Sequence, residues 1–253
     1  MTWLNKTAFS LGLLVVIVLC ATDQGWAQTT APPKPVVVEL FTSQGCSSCP
    51  PADVLLGEIA RLPNVVALAF HVDYWDSIGW RDRYEIPTAA SRQVRYVDTL
   101  NLSSAFTPQV VIDGKASYVG SDRRRILAAL AERQQDVPIG VAVTDSELTV
   151  SLPERAAQNG CDLNVVAYLP EATTAVGRGE NSGRTLTEYN IVRQFRRVAA
   201  WDGKASVLRL PRASFPADAT QVAVLLQRGN QGSIVGSAVA ALRPAPAPAG
   251  EKN

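Results

Sequence analysis

The apolar run Val36-Val37-Val38-Glu39-Leu40-Phe41 leads within a few residues into Cys46-Ser47-Ser48-Cys49 and then into a helical pattern. A short run rich in β-branched residues and bounded by turn signals reads as a strand. Beyond the cysteines, Leu55, Leu56, Ile59 and Leu62 recur at helical spacing and predict a helix over about Pro51–Leu62. The two thiols therefore stand where a strand hands over to a helix. Thiols two residues apart can close a disulfide, and a helix N-terminus favours the thiolate of the first.

The strand-and-helix alternation continues. Val65–Val72 is almost uninterruptedly apolar, as suits a strand buried on both faces of a parallel sheet. A polar and aromatic insertion, Asp73–Ile86, precedes a helix from Pro87 to about Leu100, with proline at its first position. Pro108–Ile112 and Ala116–Val119 read as strands joined at Asp113-Gly114, a hairpin signal. Ser121 is placed to cap a last helix over Asp122–Gln134. The order is βαβαββα, that of thioredoxins and glutaredoxins. After Val137-Pro138, short alternating runs separated by turn residues replace the helical periods, at a spacing that suits a sandwich. The expected fold is an α/β thioredoxin-like domain (βαβαββα) over 36–136, followed by a β-rich, sandwich-like C-terminal domain over 138–243.

The ends carry other signals. Lys6, the apolar stretch Leu11–Leu19 and the small residues of Gly25-Trp26-Ala27 predict a cleavable signal peptide over 1–27. A Pro-rich linker follows over 28–35, and 244–253 reads as a flexible Pro/Ala tail. The expected location is the periplasm or the exterior, with no integral membrane segment after cleavage. Removal of the signal takes Cys20 away and leaves Cys46, Cys49 and Cys161 in an oxidising compartment, where a CxxC pair rests as a disulfide. Formal net charge is +1, which leaves no electrostatic footprint for nucleic acid.

The expected chemistry gathers at the CxxC. Cys46 is the nucleophile, and Cys49, one turn on, resolves the mixed disulfide. Thr107-Pro108 opens the third strand where a cis-proline would face the cysteines and present backbone to an extended substrate. Glu39, inside an apolar strand, is the carboxylate placed to take the proton of the second thiol. His71, the only histidine, stands near the C-terminal end of its strand and can tune a thiolate or shuttle a proton. Trp75, in Asp73-Tyr74-Trp75-Asp76, is a candidate wall of a substrate groove. Gly177–Asn190, crowded with hydrogen-bonding side chains, reads as a long hairpin loop reaching the thioredoxin-like domain and shaping a binding site, or as a solvated loop tied by ion pairs. Too few soft ligands accompany the cysteines for a four-ligand zinc site, so no metal and no bound cofactor are expected.

Phe41–Asp53, His71–Asp76, Thr107–Gly114 and Gly177–Asn190 together resemble the signatures of domain-of-unknown-function family 1223, secreted bacterial proteins. The resemblance implies a thioredoxin-like domain with a β-rich extension and supplies no activity. Read with the residues, it leads to an expected exported thiol–disulfide oxidoreductase, acting on a thiol- or disulfide-bearing protein or a small thiol with an unknown redox partner. The alternatives are a copper-delivery protein using Cys46, Cys49 and His71, and a non-catalytic interaction module with a structural disulfide.

Overall fold

The computed structural model describes residues 35–132, 137–155 and 160–242, together with Met1. The expected signal peptide, all but the last residue of the linker and the Pro/Ala tail lie outside the described residues. Among the described residues, no helix is long and apolar enough to cross a membrane.

β1 (Val36–Thr42) leads to α1 (Pro50–Ile59), β2 (Val65–His71), α2 (Pro87–Thr99), β3 (Gln109–Ile112), β4 (Ala116–Val119) and α3 (Arg123–Leu130). The strands β5 (Gly140–Val143), β6 (Glu147–Leu152), β7 (Cys161–Ala175), β8 (Thr185–Trp201), β9 (Ser206–Pro211), β10 (Gln221–Arg228) and β11 (Ile234–Ala241) follow. Asp113 and Gly114 both take positive φ in the β3–β4 turn, as a tight hairpin demands. Asp122, not Ser121, caps α3, by accepting from the Arg125 N–H.

The expected fold class is corrected. There is no thioredoxin-like domain followed by a separate sandwich. Among the described residues strand exceeds helix by 43% to 18%, so the described part is mostly β. Eight strands form one mixed sheet in the order β11-β10-β7-β8-β2-β1-β3-β4. β2 pairs parallel with β1 on one side and with β8 on the other, through Ala69 and Ile191. The runs Leu163–Leu169 and Ile191–Val198, which read as separate short strands, are parts of one long hairpin of 15 and 17 residues. Pro170 and Asn190 look like turn residues, yet both lie inside these strands. Pro170 lies beyond Tyr168, where the pairing of β7 with β10 ends, and Asn190 takes a φ of 48°. Asn190 then donates from Nδ2 to the Ala67 carbonyl at 2.9 Å, which ties β8 to β2.

Three cores result. α1 and α3 cover one face of β1–β3, over Val36, Val38, Leu40, Ala67 and Ala69. α2 lies on the other face, over Val37, Phe41, Leu68 and Phe70. The three-stranded sheet β5–β6–β9 packs its apolar residues against β7, β10 and β11. α1 also runs against β8. Gly57 faces the Tyr189 ring so closely that a Cβ there would come within 2.4 Å of it.

Candidate functional site

Cys46 and Cys49 are joined in a disulfide. β1 ends at Thr42, and the chain then turns twice: the Cys46 N–H donates to the Ser43 carbonyl and the Cys49 N–H to the Cys46 carbonyl. Helix α1 begins only at Pro50, with Cys49 as its N-cap residue. Cys46 therefore sits on the preceding turn, four residues before the first residue of the helix, rather than at the helix N-terminus itself. Ser47 and Ser48 are exposed, whereas both cysteines are fully buried, at 0%.

The burial has a specific cover. The β7–β8 hairpin ends in a strap, residues 176–184, that lies on the residues just before α1. Asn181 donates from Nδ2 to the carbonyls of Gln44 and Cys46, each at 2.9 Å. Glu180 accepts from the Ser47 N–H at 3.0 Å. Gln44 is the hub beneath: it receives the Trp80 indole N–H and donates from Nε2 to Glu188 at 2.8 Å. Trp75 presses against Gly45, where a Cβ would come to 3.0 Å from its own, and donates to Thr107 Oγ1 at 2.7 Å. The Thr107–Pro108 peptide is cis, and the Pro108 carbonyl accepts from the Gly120 N–H. Trp75, Thr107 and Pro108 thus form one flank of the CxxC turn, and the strap forms the other.

Behind the disulfide lies a buried polar cluster that the sequence reading met only through His71. Thr42 and His71 are register partners at the ends of β1 and β2. Both continue the Val38–Leu40 and Ala67–Ala69 face, so both point to the α1 side. Thr42 donates to Asp53 Oδ1 at 2.8 Å. His71 Nδ1 donates to Asp82 Oδ2 at 2.8 Å and stands 3.9 Å from Glu188 Oε1. Burial opposes charge on His71, but the Asp82 carboxylate, with Glu188 and Asp53, outweighs it and lifts the imidazolium to about 9. Burial lifts Asp53 to about 7 against the pull of His71. Burial also raises Glu188, while His71 and its other donors hold Asp82 below the ordinary carboxylate range. His71 Nε2 and Glu188 Oε1 are buried and without a hydrogen-bond partner. Asp53 also lines a cleft of about 130 Å³ that opens between Pro50, Val54 and Arg184.

Glu39 is elsewhere. It shares the face of Val37 and Phe41, so the sheet separates it from α1 and the cysteines. There it accepts two bonds from Arg92, at 2.6 and 3.0 Å, and one from the Tyr96 hydroxyl. Arg92 also donates to Gln227 of β10 and stacks over the Phe195 ring of β8. The expected carboxylate beneath the thiols is thus part of a buried structural ion pair, and the buried carboxylate on α1 itself is that of Asp53. The signal for Asp53 was present: it stands four residues after Cys49, on the apolar side of α1.

Fold and site define a mixed-sheet protein with a covered CxxC disulfide backed by a histidine–carboxylate cluster. The chain belongs to the family described as Protein of unknown function (DUF1223), whose model matches residues 37–227. The crystal structure of protein AGR_C_4864 from Agrobacterium tumefaciens is similar, at 29% identity and a TM-score of 0.73, over 86% of this chain and 99% of that one. HBP35 of Porphyromonas gingivalis is similar in fold alone, at 16% identity and a TM-score of 0.57, over 87% of this chain and 79% of that one. No curated protein matches the chain.

Proposed function

We propose that this protein is a thiol–disulfide oxidoreductase acting outside the cytoplasm, on a thiol- or disulfide-bearing protein or a small thiol. The observation that carries the reading is the closed Cys46–Cys49 pair with ionisable groups buried behind it. As a staple the pair does little, because it closes a loop of only four residues. Chain entropy for so short a loop gives about 2 kcal/mol, the low end of what disulfides contribute. The substrate thiolate attacks Cys46 Sγ, the S–S bond breaks, and its electron pair leaves on Cys49 Sγ. A second substrate thiolate then attacks the substrate sulfur of the mixed disulfide and releases Cys46 as a thiolate. The substrate is oxidised to a disulfide and the protein reduced to a dithiol; the reverse sequence reduces a substrate disulfide and returns the protein to its closed form. Access requires the strap to lift, because both sulfurs are covered.

Equilibration against a glutathione series, with alkylated thiols counted by mass, tests the reading. A potential between roughly −100 and −280 mV supports it, and its position says oxidant or reductant. A value below about −300 mV makes the pair an inert brace and overturns it.

A further inference from the structure

Buried polar atoms without partners are rare in native proteins, and each one asks for a reason. Here two of them, His71 Nε2 and Glu188 Oε1, fall in a single cluster on the α1 side of the sheet. Asp53 belongs to the same cluster through Thr42. Its backbone N–H donates to the Cys49 carbonyl, so Cys49 and Asp53 are one helical turn apart. Side chains so spaced share a face, with Cβ atoms about 5–6 Å apart. Asp53 thus joins the turn that carries Cys49 to the buried cluster around His71, whose charge bears on it.

We propose that Asp53 exchanges a proton with the Cys49 sulfur when the disulfide opens and closes, and that His71 is a positioning residue that sets the charge of Asp53. Its use in turnover rests on the oxidoreductase reading, but the proton linkage exists with any thiol. On opening, a thiolate attacks Cys46, the S–S bond breaks, and the Asp53 carboxyl gives its proton to Cys49. On closing, the Asp53 carboxylate takes the Cys49 proton, and the sulfur attacks Cys46 of the mixed disulfide and expels the substrate thiolate.

Charges from every packed element bear on the pair. Asp82 and Arg83 come from the loop before α2, and Glu188 from β8. Arg184 shares the cleft with Asp53, and the Tyr84 ring stands edge-on to His71. Asp82 anchors Nδ1, and Nε2 is left without a hydrogen-bond partner. A carboxyl poised at about 7 is half ionised near neutrality, where it both gives and takes a proton.

The chain has one histidine, so a single imidazole Cε1–H resonance reports on the cluster without assignment work. In the reduced full-length protein that resonance should show an inflection near pH 7 as Asp53 ionises, below the titration of His71 itself. Ring closure is followed separately by stopped flow, with an aromatic disulfide that releases a coloured thiolate at each of two steps. The second release is the attack of Cys49. Its rate should rise with pH through the same inflection. Asp53→Asn should slow it at least tenfold below pH 8 and flatten the profile, and His71→Gln should move the inflection upward. In the wild type alone, inflections more than one pH unit apart overturn the proposal, so a variant that fails to fold does not shelter it. An Asp53→Asn protein that closes at the wild-type rate with the same profile overturns it too. Closure is intramolecular, so its pH profile is read independently of the reduction potential, and either reading can fail alone.

Discussion

Asn181 holds the carbonyl of Cys46 and that of Gln44 with one amide group, both at 2.9 Å, from a strap more than a hundred residues away in sequence. The contact keeps the disulfide out of solvent and leaves only the two serines between the cysteines exposed.

Asn181→Ala removes both bonds. Each hydrogen bond is worth about 1 kcal/mol net, so opening becomes easier by up to about 2 kcal/mol. Reduction by excess dithiothreitol, followed by thiol alkylation, should accelerate on the order of tenfold, and global stability should fall by no more than the same about 2 kcal/mol. An unchanged reduction rate would mean that the strap does not gate the sulfurs.

The pH dependence of stability follows from the cluster. His71 has a folded pKa raised to about 9, so its stabilising contribution is complete below its unfolded value and is lost as pH rises through 9. Asp53 is also raised, to about 7, so the folded state holds its proton longer, and stability again falls as pH rises between its two values. Glu188 shifts the same way. Urea midpoints should therefore decline from pH 6 to pH 9.5, and His71→Gln should flatten the part above pH 7. A midpoint that rises over that range would refute the charge assignment.

The Glu39–Arg92 pair makes the opposite kind of claim. Removing one partner of a buried pair strands the other, at a cost of about 3–5 kcal/mol. Arg92→Ala should lower stability by that order in denaturant titrations while leaving the reduction potential in place. A potential shifted by Arg92→Ala at constant fold would return Glu39 to the thiol chemistry.

Gly57→Ala should destabilise by about 1–3 kcal/mol, although alanine is the better helix former, because its methyl group meets the Tyr189 ring. Tyr189→Ala in the same background should recover part of the loss. Equal stability of wild type and Gly57→Ala would show that α1 and β8 pack with slack.

Local signals in the sequence pointed to what local chemistry decides. Cys46-Ser47-Ser48-Cys49 is a closed disulfide, and the quoted motifs led to the family that the chain belongs to. What failed was non-local. β2 is apolar on both faces, and nothing in its own residues says that a strand more than a hundred positions later takes its free edge. β1 is also apolar on both faces, so its sequence does not tell which face α1 will cover. That one ambiguity put Glu39 on the side of the thiols, where α1 carries the buried Asp53 instead. Pro170 and Asn190 are residue types that the alternation rule treats as stops, and only the pairing with neighbouring strands carries the long hairpin through them.

The parallel pairing of β2 with β8 also bears on how this chain can be divided. A fragment ending at residue 132 would keep both cysteines but lose β8, leaving β2 as a bare, apolar margin. Such a margin is a template for strands of other molecules, so the excised piece is a recipe for aggregation. The cysteine-bearing half cannot be borrowed as a portable module, and any fusion or truncation has to carry β8 with it.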